Sequence, residues 1–248
     1  MTPPASLLLY SGPEHECAYL PGKTARSLFI DPAARLDGAV YGYLLGQGFR
    51  RSGNHVYRPG CRACQACVPL RLPVDRFRPR RSQSRAWTKN GAGLGIDMRP
   101  AKFREEHLAL YNRYMDSRHP GGEMANATPD SFMDFLTADW CETRFVELHL
   151  AGRLAAVAVT DLLPNGLSAV YTFFDPELAH HSPGVLAILW QIQAARRLGL
   201  PWLYLGYWVP GCKKMSYKAQ YRPLQLFSQG QWQEFTRADS IQVPGINY

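Results

Sequence analysis

Three cysteines follow one another at three-residue steps in "RPGCRACQACVPLR" (58–71), namely Cys61, Cys64 and Cys67. The chain of 248 residues holds six cysteines, and half of them lie in this stretch. Secreted disulfide scaffolds spread their cysteines along the chain, whereas tightly spaced thiolates are typical ligands of zinc and iron–sulfur clusters in a reducing compartment. The sequence therefore predicts either a metal or iron–sulfur site here or, as the alternative, reduced cysteines that pack a small domain.

Positive charge is concentrated in the same region. Residues 50–89 contain eleven of the 28 basic residues and one of the 20 acidic residues, so this segment carries +10 and the rest of the chain −2. A concentration of arginine indicates binding to phosphates, and the alternative is a solvated basic face. We expect RNA contacts from Arg50, Arg51, Arg58, Arg71, Arg80, Arg81 and Arg85.

The elements that must position these residues divide into two parts. Residues 36–49 have the pattern of a helix, the proline-rich segment after them favours turns and short strands, and "NGAGLGIDMRP" (90–100) is a glycine-rich break. The second half alternates differently: strand-like runs flank Ala151 and Gly152, and further strands surround one helix. Short links between neighbouring strands exclude an all-parallel sheet. We therefore expect an α+β protein, with a cysteine-bearing domain at 1–95 and a mixed-sheet domain at 96–248.

Membrane insertion is not expected from this sequence. No apolar run approaches the roughly 18 to 20 residues that cross a bilayer, and the first residues lack the basic region of a signal peptide. Together with the cysteine usage, this predicts a cytoplasmic protein with no membrane partner.

Five segments resemble a known family. "CAYLPG" (17–22), "YNRYMDSRHPGG" (111–122), "AVYTFFDP" (169–176) and the segments 41–87 and 198–223 are similar to the aminoacyl-tRNA–protein transferases of the arginyltransferase superfamily, above all to its bacterial aspartate/glutamate leucyltransferase branch. The resemblance implies a C-terminal domain with the fold of GCN5-related N-acetyltransferases. It also implies transfer of an aminoacyl group from charged tRNA to proteins that begin with Asp or Glu, in the N-end rule degradation pathway. Leucyl-tRNA is the expected donor, and arginyl-tRNA is the alternative.

The resemblance also bears on the cysteines. Eukaryotic members hold an iron–sulfur site with a Cys-x-x-Cys motif and an adjacent Cys-Cys pair. Cys17 and Cys67 match that pattern here, but the partner positions are Leu20 and Ala66. The expected ligand set for a structural zinc ion or iron–sulfur cluster is therefore Cys17, Cys61, Cys64 and Cys67, and Cys141 and Cys212 are expected to pack the interior.

The implied reaction is aminolysis of an ester, which needs no cofactor for the chemistry. The family segment that contains Arg118 and His119 suggests a cation for the acceptor's acidic side chain and a base for its amine, although Arg and His at a helix end also act as simple caps. Tyr171, with Asp175 near it, is a further candidate.

A second candidate for the substrate-binding surface is "YLGYWVPGCKKMSYK" (204–218), where aromatic and cationic side chains alternate at a strand end. Such a pattern suits a terminal adenosine and its phosphates, and the alternative is a buried strand with lysines that reach solvent. The expected substrate-binding residues are Tyr204, Tyr207, Lys213, Lys214, Tyr217 and Lys218.

The two rival functions are an acyl-CoA N-acetyltransferase and a non-enzymatic RNA-binding module. An acyl-CoA N-acetyltransferase would use the turn before its helix to bind pyrophosphate, but "HHSPGV" (180–185) has a single glycine and no arginine, so CoA is not an expected partner. A non-enzymatic RNA-binding module would explain residues 50–89 and leave the second domain without a role.

Overall fold

A long β-hairpin organises the second half of the chain. A computed structural model describes residues 6–118, 126–237 and 241–243, and the hairpin in it joins β9 (Thr143–Leu150) to β10 (Arg153–Leu163). Its turn residues Ala151 and Gly152 have φ of 49° and 79°, the left-handed conformation that glycine adopts at little cost. The hairpin that the sequence predicts around these two residues is confirmed.

Two further sets of elements surround this hairpin. The helices are α1 (Gly38–Gly46), α2 (Arg81–Asn90), α3 (Glu105–Arg118), α4 (Pro129–Leu136) and α5 (Pro183–Arg197). The other strands are β1 (Leu9–Ser11), β2 (His15–Glu16), β3 (Thr24–Ala25), β4 (Ser27–Ile30), β5 (Arg50–Ser52), β6 (His55–Pro59), β7 (Val68–Pro73), β8 (Leu94–Pro100), β11 (Gly166–Phe174), β12 (Trp202–Trp208), β13 (Leu224–Ser228) and β14 (Gln231–Phe235).

The strands form one large mixed sheet and a smaller one. The large sheet has the order β14-β13-β7-β12-β11-β10-β9-β8, and β11 and β12 are its parallel pair. The smaller sheet has the order β1-β4-β6-β5, and β2 and β3 form a separate pair. The expected α+β fold with a mixed sheet in its second part is confirmed.

The large sheet is covered on both faces, as the alternation along β10 shows. Ala156 and Ala158 pack against α5, whereas Val157 and Val159 pack against the side chains of α3 and α4. Because successive strand residues point to opposite faces, a strand buried on both sides loses its polar residues. The described part of the chain contains no helix long and apolar enough to cross a membrane.

Two local expectations were wrong. The glycine-rich stretch 90–100 is not a break, since Leu94–Pro100 forms the edge strand β8 and pairs with β9 along its length. The arginine segment contains a helix, α2, which follows Pro79 and carries few apolar residues. The expected boundary between residues 95 and 96 falls inside β8, and the large sheet also takes β7 from the first part of the chain.

One buried ion pair joins the two sheets. Arg51 on β5 donates to Asp161 on β10 through Nε at 2.7 Å and Nη2 at 2.6 Å, and both side chains are fully buried. Arg51 also donates to the carbonyl of Leu136, and the Thr143 hydroxyl donates to Asp161 at 2.8 Å. A buried pair needs such additional hydrogen bonds to offset the loss of hydration.

We expect Asp161→Asn to lower the free energy of unfolding by roughly 3 to 5 kcal/mol, because the variant leaves Arg51 buried without its counter-charge. The free energy of unfolding is measured by urea denaturation of wild type and variant, and the m-value should be the same for both. The matched control is Glu142→Gln, which removes a carboxylate from the exposed pair with Arg144 and should cost less than about 1 kcal/mol. Equal losses in the two variants would contradict the role given to Arg51.

Candidate active site

The two parallel strands stop pairing before they end, and the gap that this leaves between them is a crevice at their carboxyl ends. β11 and β12 pair only from Gly166–Ser168 to Trp202–Tyr204, although both strands continue beyond these residues. β12 also changes register against β7 between Tyr204 and Gly206, and Gly206 has φ of 80°. Ligands of open α/β sheets bind outside the carboxyl ends of parallel strands, so this crevice is the candidate site.

Two basic side chains form the floor of the crevice. Arg50 donates from Nη1 to the Ser168 hydroxyl at 3.2 Å, and Lys218 donates from Nζ to the Tyr207 carbonyl at 2.7 Å. Arg50 is 8% exposed, and Lys218 is 7% exposed. Burial, and after it the positive charge of Arg50, lower the pKa of Lys218 to about 7. The two cations thus meet at the point where the strands diverge.

Aromatic residues line one side of the crevice. The ring of Tyr114 on α3 lies 5.0 Å from that of Phe174 and 6.4 Å from that of Tyr171, and the Tyr171 hydroxyl donates to the Met115 sulfur at 3.5 Å. Burial raises the pKa of Tyr171 above its ordinary value, so this hydroxyl keeps its proton at neutral pH. Tyr171 is therefore available as a hydrogen-bond donor and not as a base.

Arg118 ends α3 on the same side. Its guanidinium lies 5.5 Å from the centre of the Phe174 ring, and the residue is exposed. His119 lies outside the described residues. Asp175 is buried and ion-paired with Arg153 at 2.5 Å, and it accepts a hydrogen bond from the backbone of Glu177. These contacts give Asp175 a structural role at the end of β11.

The predicted substrate-binding surface divides into buried and exposed residues. Tyr204 lies in a hydrophobic core, and the buried Tyr207 donates its hydroxyl to the Gly48 carbonyl at 2.9 Å. The expectation that these two tyrosines face a substrate is wrong, because both attach β12 to the first part of the chain. Lys213, Lys214 and Tyr217 are exposed on a short 3-10 helix (Lys213–Gln220), and only Lys218 turns inward.

The seven arginines expected to bind RNA do not form one surface. Arg51 is buried against Asp161, and Arg50 is buried at the crevice floor. The guanidinium of Arg71 lies between Trp202 and Trp232, at 3.7 and 4.1 Å from the ring centres, and that of Arg58 lies 5.0 Å from the Phe49 ring. For Arg50, Arg51 and Arg71 the expected exposed phosphate contact is therefore wrong, since their side chains are committed inside the protein.

Of the remaining three, Arg81 and Arg85 lie on α2 and Arg80 lies directly before it. Arg81 and Arg85 are exposed, Arg80 is half-buried, and the first two line a groove of about 530 Å³ with Pro79, Ser84 and Arg237. At the other end of α2, the Asn90 side chain binds the His181 carbonyl at 3.2 Å, just before α5 begins. This basic helix thus runs from an open groove toward the edge of the crevice.

The four cysteines predicted as ligands lie near one another without forming a compact ligand set. The thiols of Cys17, Cys61 and Cys64 lie close enough to raise the pKa of Cys67, after its burial, to about 12. Cys61 and Cys64 also line an open cavity of about 350 Å³. Within the described residues, no three thiols lie within 4.8 Å of one another, whereas zinc–sulfur bonds of about 2.3 Å require such closeness. The thiols therefore lie farther apart here than the ligands of a bound zinc ion, and no step of the reaction is assigned to a metal.

The two other cysteines are buried, as expected. Cys212 packs with Ala66 and Val209, and Cys141 lies in the core beneath α1.

One further polar cluster has no signal in the sequence. Asp97, Glu147 and His149 have ligand atoms within 4.8 Å of one another on β8 and β9. Glu147 is buried and already paired with Arg99 at 3.2 Å and Arg104 at 2.7 Å. The pairing of β8 with β9 brings these residues together, and a sequence interpretation that leaves β8 unassigned cannot find them.

Comparisons with known proteins agree with this architecture. Sequence models of the arginine-tRNA-protein transferase family match the chain at residues 15–85 (N terminus) and 106–228 (C terminus). In fold alone, the chain is similar to the C-terminal domain of a protein from Agrobacterium fabrum assigned as a lysylphosphatidylglycerol synthetase, with a TM-score of 0.50, 12% identity, and coverage of 78% of this chain and 62% of that one.

Curated relatives are much closer in sequence. The aspartate/glutamate leucyltransferase of Alkalilimnicola ehrlichii is 51% identical over 227 residues, which are 91% of this chain and 95% of the relative. The aspartate/glutamate leucyltransferase of Pseudomonas fluorescens is 51% identical over 234 residues, which are 94% of this chain and 98% of the relative. The chain therefore belongs to the arginine-tRNA-protein transferase family, and it is an aminoacyltransferase.

Proposed function

We propose that this enzyme transfers leucine from leucyl-tRNA to the N-terminal Asp or Glu of acceptor proteins, and so marks them for degradation by the N-end rule pathway. The observation that carries the proposal is the crevice between β11 and β12, which holds a buried cationic floor and an aromatic wall at the carboxyl ends of two parallel strands. The names of the curated relatives support leucine as the donor and acidic residues as the acceptors.

The reaction is an exchange of one acyl bond for another. The neutral α-amine of the acceptor attacks the ester carbonyl, the new C–N bond forms, and the C–O bond to the ribose breaks. The proton leaves the amine and ends on the ribose oxygen. An ester is already activated, so positioning of the two substrates supplies much of the barrier reduction, roughly 7 to 11 kcal/mol in favourable cases.

Two residues of the crevice fit this chemistry. Tyr171 keeps its proton and can donate it in a hydrogen bond to an oxygen of the bound ester in place of the Met115 sulfur, which is a weak acceptor. Arg118 is an exposed cation at the rim, 5.5 Å from the Phe174 ring, where it can contact the acceptor or the 3′ end of the tRNA. Arginyl-tRNA remains the alternative donor.

The donor is tested with tRNA charged separately with leucine and with arginine. We expect the mass of a peptide that begins with Asp to rise by one leucine residue, and we expect no change for the same peptide with acetyl-CoA. A mass gain only with arginyl-tRNA would show that arginine, and not leucine, is the amino acid transferred. A gain only with acetyl-CoA would show an N-acetyltransferase and overturn the proposal.

We propose that the groove beside α2 binds the phosphate backbone of the tRNA. Arg81, Arg85 and Arg237 meet there, and α2 leads from the groove to the amino end of α5 at the crevice. Exposed arginines keep their charge in water and exchange counter-ions for phosphates at little cost.

The double variant R81Q/R85Q should lower the slope of log K for tRNA binding against log salt by about one to two, because each lost phosphate contact releases about one ion fewer. The slope is measured between about 50 and 200 mM salt. The control is Arg35→Gln, at an exposed position near the start of α1. Parallel slopes for wild type and the double variant would remove α2 from the RNA interface.

We also propose, as the sequence predicts, that Cys17, Cys61, Cys64 and Cys67 bind zinc or an iron–sulfur cluster once their thiols move closer together. Such a site would fix the loop between β6 and β7. Zinc and iron are measured in anaerobically purified protein, and we expect about one site per chain, lost in the Cys64→Ser variant. Less than about a tenth of an equivalent of either metal would leave the packing role alone.

A further inference from the structure

Two successive arginines have opposite electrostatic surroundings. Arg51 and Arg50 are both buried, and Arg51 has a carboxylate partner in Asp161. Within the described residues, neither Arg50 nor Lys218 has a carboxylate within 4.0 Å. The Nη2 of Arg50 is buried and has no hydrogen-bond partner. A buried cation pair without an anion is costly, so these residues indicate a place for an anionic group of a ligand.

We infer that Arg50 and Lys218 bind the side-chain carboxylate of the acceptor's N-terminal Asp or Glu, an inference that rests on the proposed function. The two nitrogens converge on one point of the strand. The position that a Cβ at Gly206 would occupy lies 3.1 Å from Arg50 Nη2 and 3.4 Å from Lys218 Nζ. Glycine at this bulge therefore lets both heads approach the same stretch of backbone.

The surroundings of Lys218 support an anionic ligand. Burial and the charge of Arg50 lower its pKa, and in the described residues only the thiols of Cys212 and Cys67 act in the opposite direction. A carboxylate placed between the two cations would favour the charged form of Lys218 and offer an acceptor to the free Nη2 of Arg50.

A carboxylate fits better than the other anions of this reaction. Phosphates are contacted by exposed cations, which α2 supplies, and the residues at the crevice floor are only 7% and 8% exposed. The developing oxyanion is a single oxygen, whereas two separate cationic heads match the two oxygens of a carboxylate.

Burial also explains discrimination between an acid and its amide. Asp and Asn have nearly the same shape, so only charge separates them. A desolvated cation left unpaired by Asn is heavily penalised, whereas an exposed cation such as Arg118 is rehydrated by water. The floor residues, and not Arg118, are thus the stronger source of acceptor specificity.

The test compares kcat/KM for two peptides that differ only in an N-terminal Asp or Asn, at saturating charged tRNA. Arg50→Gln and Lys218→Met should lower kcat/KM for the Asp peptide on the order of 100-fold and leave that for the Asn peptide nearly unchanged. Lys218→Arg, which keeps the charge, should retain most of the preference. Lys102→Met, an exposed lysine before α3, is the matched control and should behave as wild type.

Each of the following results would overturn the inference. Equal losses for both peptides would assign the cations to the oxyanion or to folding. An unchanged ratio in both variants, or a ratio that collapses only in Arg118→Gln, would place acceptor recognition at the rim. Wild-type protein that transfers to neither peptide from any charged tRNA would remove the proposed function itself.

Thermal unfolding of the variants distinguishes a loss of acceptor binding from a loss of folding. Lys218→Met removes a buried unpaired cation, so its melting temperature should be equal to or higher than that of wild type. The Asp peptide should raise the melting temperature of wild type and not that of Lys218→Met, a readout independent of transfer. A rise of the same size in both proteins would also contradict the inference.

Discussion

The buried pair of Arg51 and Asp161 is the contact on which the geometry of the crevice depends. It joins β5 of the small sheet to β10 of the large one, with both side chains withdrawn from water. A buried guanidinium is stabilised in this environment by hydrogen-bond acceptors, and Asp161, Thr143 and the carbonyls of Gly53 and Leu136 supply them. These hydrogen bonds fix the position of β5, a strand of the small sheet, against the large sheet.

That constraint determines where the preceding residue can go. Arg51 is anchored to Asp161 on β10, and Arg50 donates to Ser168, the residue of β11 that pairs directly with Asp161. Ser168 is the last residue of β11 paired with β12, and the Arg50 head therefore sits at the apex of the crevice. The first part of the chain thus contributes directly to the site that the second part frames, through one strand of three residues.

The sequence allowed the mixed sheet, the hairpin at Ala151 and Gly152, and the helix after β11 to be predicted, because alternation and helical periodicity record which faces are buried. The resemblance supplied the substrates. The seven arginines were harder, because a count of charges says nothing of burial: Arg51 and Arg71 have internal partners more than a hundred residues away. Strand β8 was missed for a related reason, since its pairing with β9 outweighs the low strand propensity of its glycine.

The same limit explains why Lys218 looked like one lysine among three. Lys213, Lys214 and Lys218 share one short segment, and nothing in their spacing separates an exposed charge from a buried one. What separates them is the bulge in β12, which turns the Tyr207 carbonyl toward the 3-10 helix and gives the Lys218 amine an acceptor inside the protein. An enzyme that transfers an acyl group from an ester needs few reactive side chains, because the ester is already activated. Its chemistry resides in where charge is placed, and that placement is decided by contacts between parts of the chain that are distant in sequence.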